Sequence, residues 1–197
     1  NCRDESDEVD CQLLFLKKNY NSKVPPIFPT GGNNFNPAEV AISISILKIV
    51  SLEEVEHKIH LQFEITLEWK ENRATYHNLK DKTSLNALTD EEIKGFWLPY
   101  VVYDNTDMKE AVQLDQGMAG VKTTVVVTRE GSFTRSDLGV TDETEIFNGR
   151  DNTLVMSQTY TKSFQCLYNL QKYPFDTQVI AKLTTFTESA HWADSVS

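Results

Sequence analysis

Apolar side chains occupy every second position in two long runs of this chain. Val40, Ile42, Ile44 and Ile46 alternate with Ala41, Ser43, Ser45 and Leu47; Ile59, Leu61, Phe63, Ile65, Leu67 and Trp69 alternate with His60, Gln62, Glu64, Thr66 and Glu68. A period of two belongs to a strand with one face in a core and the other in water. Ser51-Leu52-Glu53-Glu54-Val55-Glu56 reads as the turn between the two. Each buried side chain of this size contributes about 1.5–3 kcal/mol, so the pair is expected to anchor a mainly β domain.

Shorter segments fill in around it. Residues 159–166 and 177–186 carry the β-branched and aromatic residues of half-buried strands. Between them Pro174 fixes its own φ and holds Tyr173 extended, and Asp176 sets a turn, giving a stiff corner Tyr173-Pro174-Phe175-Asp176 with an apolar tip. Val125-Val126-Val127 followed by Glu130-Gly131-Ser132-Phe133 predicts a hairpin, and residues 143–147 turned by Asn148-Gly149 predict another. Two helical stretches are expected. One is short, from Gln12 to Tyr20 with Asp10 as N-cap; the other is a single turn after the capping box Thr89-Asp90-Glu91-Glu92. Residues 25–37, with four prolines and Gly31-Gly32-Asn33-Asn34, read as a linker or long turn.

The 197 residues suit one domain of sandwich size, and 40% apolar with 24% charged residues is a soluble globular composition. A net charge of −10 excludes a nucleic-acid partner, whose phosphates require a basic footprint. No apolar run reaches the roughly 18–20 residues of a membrane helix, no secretory signal opens the chain, and no Asn-x-Ser/Thr acceptor occurs. Three cysteines are an odd count.

Catalytic chemistry finds little support. His57, His60, His77 and His191 are scattered, and His57 and His60 fall on opposite faces of a strand, whereas zinc needs three or four convergent ligands. No carboxylate pair sits in an apolar frame, and no nucleophile elbow, phosphate-cradling loop or metalloprotease helix is present. Cys166, at a strand end with no histidine nearby in sequence, reads as free and inert. The expectation is of a protein that is not an enzyme and needs no cofactor for chemistry.

Cys166, the Tyr173-Pro174-Phe175-Asp176 corner and Gln178 stand at the offsets of the Cys-loop signature, and the chain resembles the extracellular ligand-binding domain of pentameric neurotransmitter-gated ion channels. The turn at 51–54, the Leu67, Trp69, Arg73 cadence and Trp97-Leu98-Pro99 match the same family. The second signature cysteine is replaced by Ile180, so this loop cannot close as a disulfide. The resemblance implies an immunoglobulin-like β-sandwich with a short N-terminal helix, on the extracellular side of the plasma membrane. It implies a homo- or hetero-pentamer, a small-molecule agonist between subunits, and a membrane pore domain outside this chain. It assigns the gating contact to Glu53, Glu54 and Val55 together with Tyr173, Pro174, Phe175 and Asp176. The agonist positions fall on Phe63 and Glu64, on Tyr103 and Asp104, and on Phe186 and Thr187. Three family aromatics are thus replaced by Glu64, Asp104 and Thr187, which argues against a cholinergic aromatic box.

At the other end, Cys2, Asp4, Ser6, Asp7, Glu8 and Cys11 resemble the close of a low-density-lipoprotein-receptor class A repeat. That likeness implies calcium at Asp7 and Glu8, hard oxygen ligands for a hard cation. The family partners of Cys2 and Cys11 are missing, which leaves the two able to pair with each other. The expected organisation is a repeat remnant over 1–11, helix and linker over 12–35, and a ligand-binding sandwich over 36–197, incomplete at its C-terminal end. Two rivals share the fold: a secreted soluble ligand-binding module without a channel, and a calcium-assisted adhesion module.

Overall fold

The computed structural model describes residues 13–31, 34–99, 101–103, 111–112, 124–136, 144–165 and 185–186. Two four-stranded antiparallel sheets form a β-sandwich around one core. The first has the order β4 (Ala41–Glu53), β5 (Lys58–Lys70), β12 (Thr153–Gln165), β9 (Thr124–Thr128). The second runs β1 (Leu14–Leu16), β6 (Ala74–His77), β11 (Thr144–Asn148), β10 (Phe133–Ser136). A small sheet joins β13 (Thr185–Phe186), β7 (Val101–Tyr103) and β8 (Ala111–Val112), and β2 (Ile27–Gly31) pairs with β3 (Asn34–Pro37).

Strand β5 is the keel. All six of its alternating apolar residues, Ile59 to Trp69, are buried, and their register partners on β12 include Phe164, Met156 and Leu154. Phe63 packs between Tyr160 and Phe164, with ring centroids 5.8 and 5.7 Å away. The one buried polar side chain of β12, Gln158, accepts a hydrogen bond from Tyr160 Oη at 2.7 Å, which satisfies it within the layer.

Strand β4 keeps the expected alternation only in its first half. Val40, Ile42 and Ile44 pack against the core. The register then slips between Ile46 and Lys48 and again between Ile49 and Ser51. Each extra residue twists the strand away from its partner, so Ile46, Leu47, Ile49, Val50 and Leu52 are all exposed along a sheet edge.

Three local expectations are corrected. Leu14–Leu16 is a strand, not part of an N-terminal helix. It pairs with β6, burying Leu14 and turning Phe15 out to stack on His77 at 3.9 Å. A helix so short is marginal by itself, and an open strand edge offers its backbone better partners. The residues read as a linker form the β2–β3 hairpin instead. Neither predicted later hairpin exists as such, because β9 and β10 lie in different sheets, as do β11 and β12.

Both of these turns are corners between layers, and side chains hold them. Asn152, fully buried, accepts from the Glu130 and Gly131 amides at 3.0 and 3.2 Å and donates to the Asn148 carbonyl at 2.7 Å. At Gly149 a Cβ atom would stand 2.2 Å from the Glu71 carbonyl oxygen, so only glycine lets the two chains approach. The capping box forms as read: Thr89 caps α1 (Asp90–Lys94) and Glu92 reciprocates.

Candidate functional site

Of the residues that the resemblance assigns to a gating contact, the described ones lie at the turn between β4 and β5. His57 takes a left-handed conformation, φ 54°, and its amide donates to the Glu54 carbonyl at 3.3 Å, closing the turn. Glu53 Oε1 lies 3.1 Å from His60 Nε2, and Lys58 Nζ lies 3.1 Å from Glu56 Oε2. Val55 projects from the tip of the turn with 95% of its surface exposed. Its sequence partners Tyr173, Pro174, Phe175 and Asp176, with Cys166, lie outside the described residues.

The positions expected for an agonist divide between two sheets. The pairing of β7 with β13 sets Tyr103 opposite Thr185 and Val102 opposite Phe186, so the segments bearing Tyr103 and Phe186 run side by side. Asp104 and Thr187 lie outside the described residues, as do Asp7, Glu8, Cys2 and Cys11. Phe63 and Glu64 belong to the other sheet. Phe63 is 1% exposed and serves the core, which removes it from the ligand positions; strand alternation turns Glu64 to the opposite, half-buried face.

At the end of β5 stands a polar cluster that the sequence alone did not single out. Glu71 is fully buried at the end of β5 and is gripped by Arg73 through two hydrogen bonds of 2.7 and 2.6 Å. Tyr20 Oη donates to Glu71 Oε2 at 3.2 Å and accepts from the Trp97 amide at 2.8 Å, and the Arg73 guanidinium lies 4.6 Å above the Tyr20 ring. Burial, reinforced by the Glu71 charge, drives the Tyr20 hydroxyl far above its ordinary pKa. Burial pulls the Arg73 guanidinium down, but its hydrogen bonds to Glu71 and that residue's charge outweigh this and leave it raised. The cluster fastens the 96–99 segment, just ahead of β7, to the end of β5. Its signal in the sequence was the Glu71-x-Arg73 pair directly after Trp69.

The model of the neurotransmitter-gated ion-channel ligand binding domain matches residues 12–181 of this chain. The chain belongs to that family. A search of the curated proteins finds no match. As a neurotransmitter-gated ion-channel ligand-binding domain, it has a general role in ligand binding, and its β-sandwich, β4–β5 turn and Trp69–Arg73 segment all lie within the matched stretch. The Cys-loop segment, 166–180, lies within it too, whereas residues 1–11 and the position of Phe186 fall outside.

Proposed function

We propose that this domain is the extracellular sensor of a pentameric ligand-gated channel subunit, without enzymatic activity of its own. It takes up a small-molecule agonist between neighbouring subunits and passes the event to a membrane pore. Tyr103, Asp104, Phe186 and Thr187 form one wall of the agonist site, and Glu64 of the adjacent subunit forms the other. The signal leaves through Glu53, Glu54 and Val55 beside the Tyr173-Pro174-Phe175-Asp176 corner. Residues 1–11 remain, in this reading, the end of a lipoprotein-receptor-type repeat, with calcium at Asp7 and Glu8.

The observation that carries the proposal is the family match together with Val55, standing almost fully exposed at the tip of the β4–β5 hairpin. The exposed apolar run along the β4 edge supports assembly, since an open apolar strand edge invites contact with further protein. The test uses the full-length subunit in a cell membrane. Val55→Asp is expected to abolish agonist-evoked current while surface expression and agonist binding stay intact. Unchanged current in that variant overturns the coupling route, and a native mass other than five subunits overturns the ring.

A further inference from the structure

The β2–β3 hairpin covers one end of the four-stranded sheet on the face away from the core, and between them lies a cavity of about 430 Å³. That is within the range of small-molecule sites. Phe28, Pro37 and Ala41 supply its apolar wall, and Glu39, Glu68 and Lys70 are its charged members. The open end of the β2–β3 hairpin is fixed in place. The Ala38 amide donates to the Pro26 carbonyl at 2.9 Å, Asn72 Nδ2 donates to the Ile27 carbonyl at 2.6 Å, and Pro26 is buried.

The charges are unequal in their commitments. Lys70 Nζ lies 3.8 Å from Glu130 Oε2, and the same carboxylate oxygen accepts from Thr153 Oγ1 at 2.8 Å. Among the described residues, the side chains of Glu39 and Glu68 have no hydrogen-bond or ion-pair partner. An apolar hollow whose uncommitted charges are both negative opposes an anion. It also suits a hard metal ion poorly, since such an ion collects six or more oxygens.

We propose that this cavity binds a small organic cation, an amine or quaternary ammonium on an apolar body, with its hydrocarbon against Phe28, Pro37 and Ala41 and its charge toward Glu39 and Glu68. The lining residues all come from this chain, and the site lies about 13 Å along β5 from Glu64, at roughly 3.3 Å per residue. It therefore stands apart from the agonist position between subunits and does not depend on it.

Calorimetric titration of the full 197-residue chain with phenethylamine, charged at pH 7, and with 2-phenylethanol, neutral and of nearly the same shape, tests the proposal. The amine is expected to saturate at one equivalent and to bind about fivefold more tightly than the alcohol, the upper end of what one exposed charge pair contributes. The double variant Glu39→Gln with Glu68→Gln changes two exposed positions, so its melting curve is expected to match the parent's while its affinity for the amine falls to that of the alcohol. Phe28→Ala is expected to weaken both compounds alike. No saturable binding, equal affinity for the two compounds, or full amine affinity in the double variant overturns the assignment.

Discussion

Arg73 grips Glu71 with two nearly parallel hydrogen bonds, Nε to Oε1 at 2.7 Å and Nη2 to Oε2 at 2.6 Å, at a place where Glu71 has no access to water. The fork geometry is specific to arginine, since lysine offers a point charge and cannot satisfy both oxygens in this way. The pair joins the end of β5 to Tyr20, and through Tyr20 Oη to the Trp97 amide, so its loss is felt at several elements.

Arg73→Ala is accordingly expected to destabilise the domain by about 3–5 kcal/mol, the cost of stranding a buried charge. Arg73→Lys should recover only part of that loss. Urea unfolding followed by tryptophan fluorescence measures both. A loss below about 1 kcal/mol for Arg73→Ala, the level of an exposed pair, contradicts the cluster's structural role.

Glu92 serves two elements at once. Its Oε2 accepts from the Thr89 amide at 2.9 Å in the capping box, and its Oε1 accepts from the Leu13 and Leu14 amides at 3.0 and 2.8 Å. Thr89→Ala removes a cap and is expected to cost about 1 kcal/mol. Glu92→Ala removes the cap's partner and the anchor of β1 together, so its cost should be clearly larger. Hydrogen exchange separates the two variants: Glu92→Ala should speed exchange at Leu13 and Leu14, whose amides donate to the carboxylate, and Thr89→Ala should leave those amides protected.

His77 gives the fold a pH dependence of defined sign. Burial lowers its pKa below the ordinary histidine value, and its ring is stacked on Phe15. The folded state resists taking the proton that the unfolded chain accepts below about pH 6.5. The contribution of His77 is therefore fully present above that pH and is lost as the pH falls toward the lowered folded value. Melting temperatures recorded from pH 8 to pH 5 should drop less steeply for His77→Gln than for the parent chain. Parallel curves would remove His77 as a source of the acid sensitivity.

Much of the fold could be read from single residues and their neighbours. The alternation from Ile59 to Trp69 is buried on one face as expected, and Thr89 with Glu92 forms the cap its spacing announced. The turn carrying Val55 also lies where the acidic run placed it. Phe63 shows the limit of register alone. A family position fell on the Phe63–Glu64 pair, and only the packing against Tyr160 and Phe164 assigns the aromatic to the core and the carboxylate to the opposite face. Glu71 was overlooked because a glutamate beside an arginine resembles any solvated pair until burial is known.

The amino-acid order by itself determined the period-two strands, the position of the main turn and the family, because each depends on side chains close together along the chain. The tertiary structure alone decided which strands share a sheet. Glycine and asparagine turns of the same composition serve a hairpin or a corner between layers equally well, and at Gly131 and Gly149 the choice rests on contacts with Asn152 and Glu71 made across the fold. It decided likewise that Leu14–Leu16 is a strand, since the open edge of β6 and the Glu92 carboxylate satisfy that backbone more completely than an isolated helical turn does.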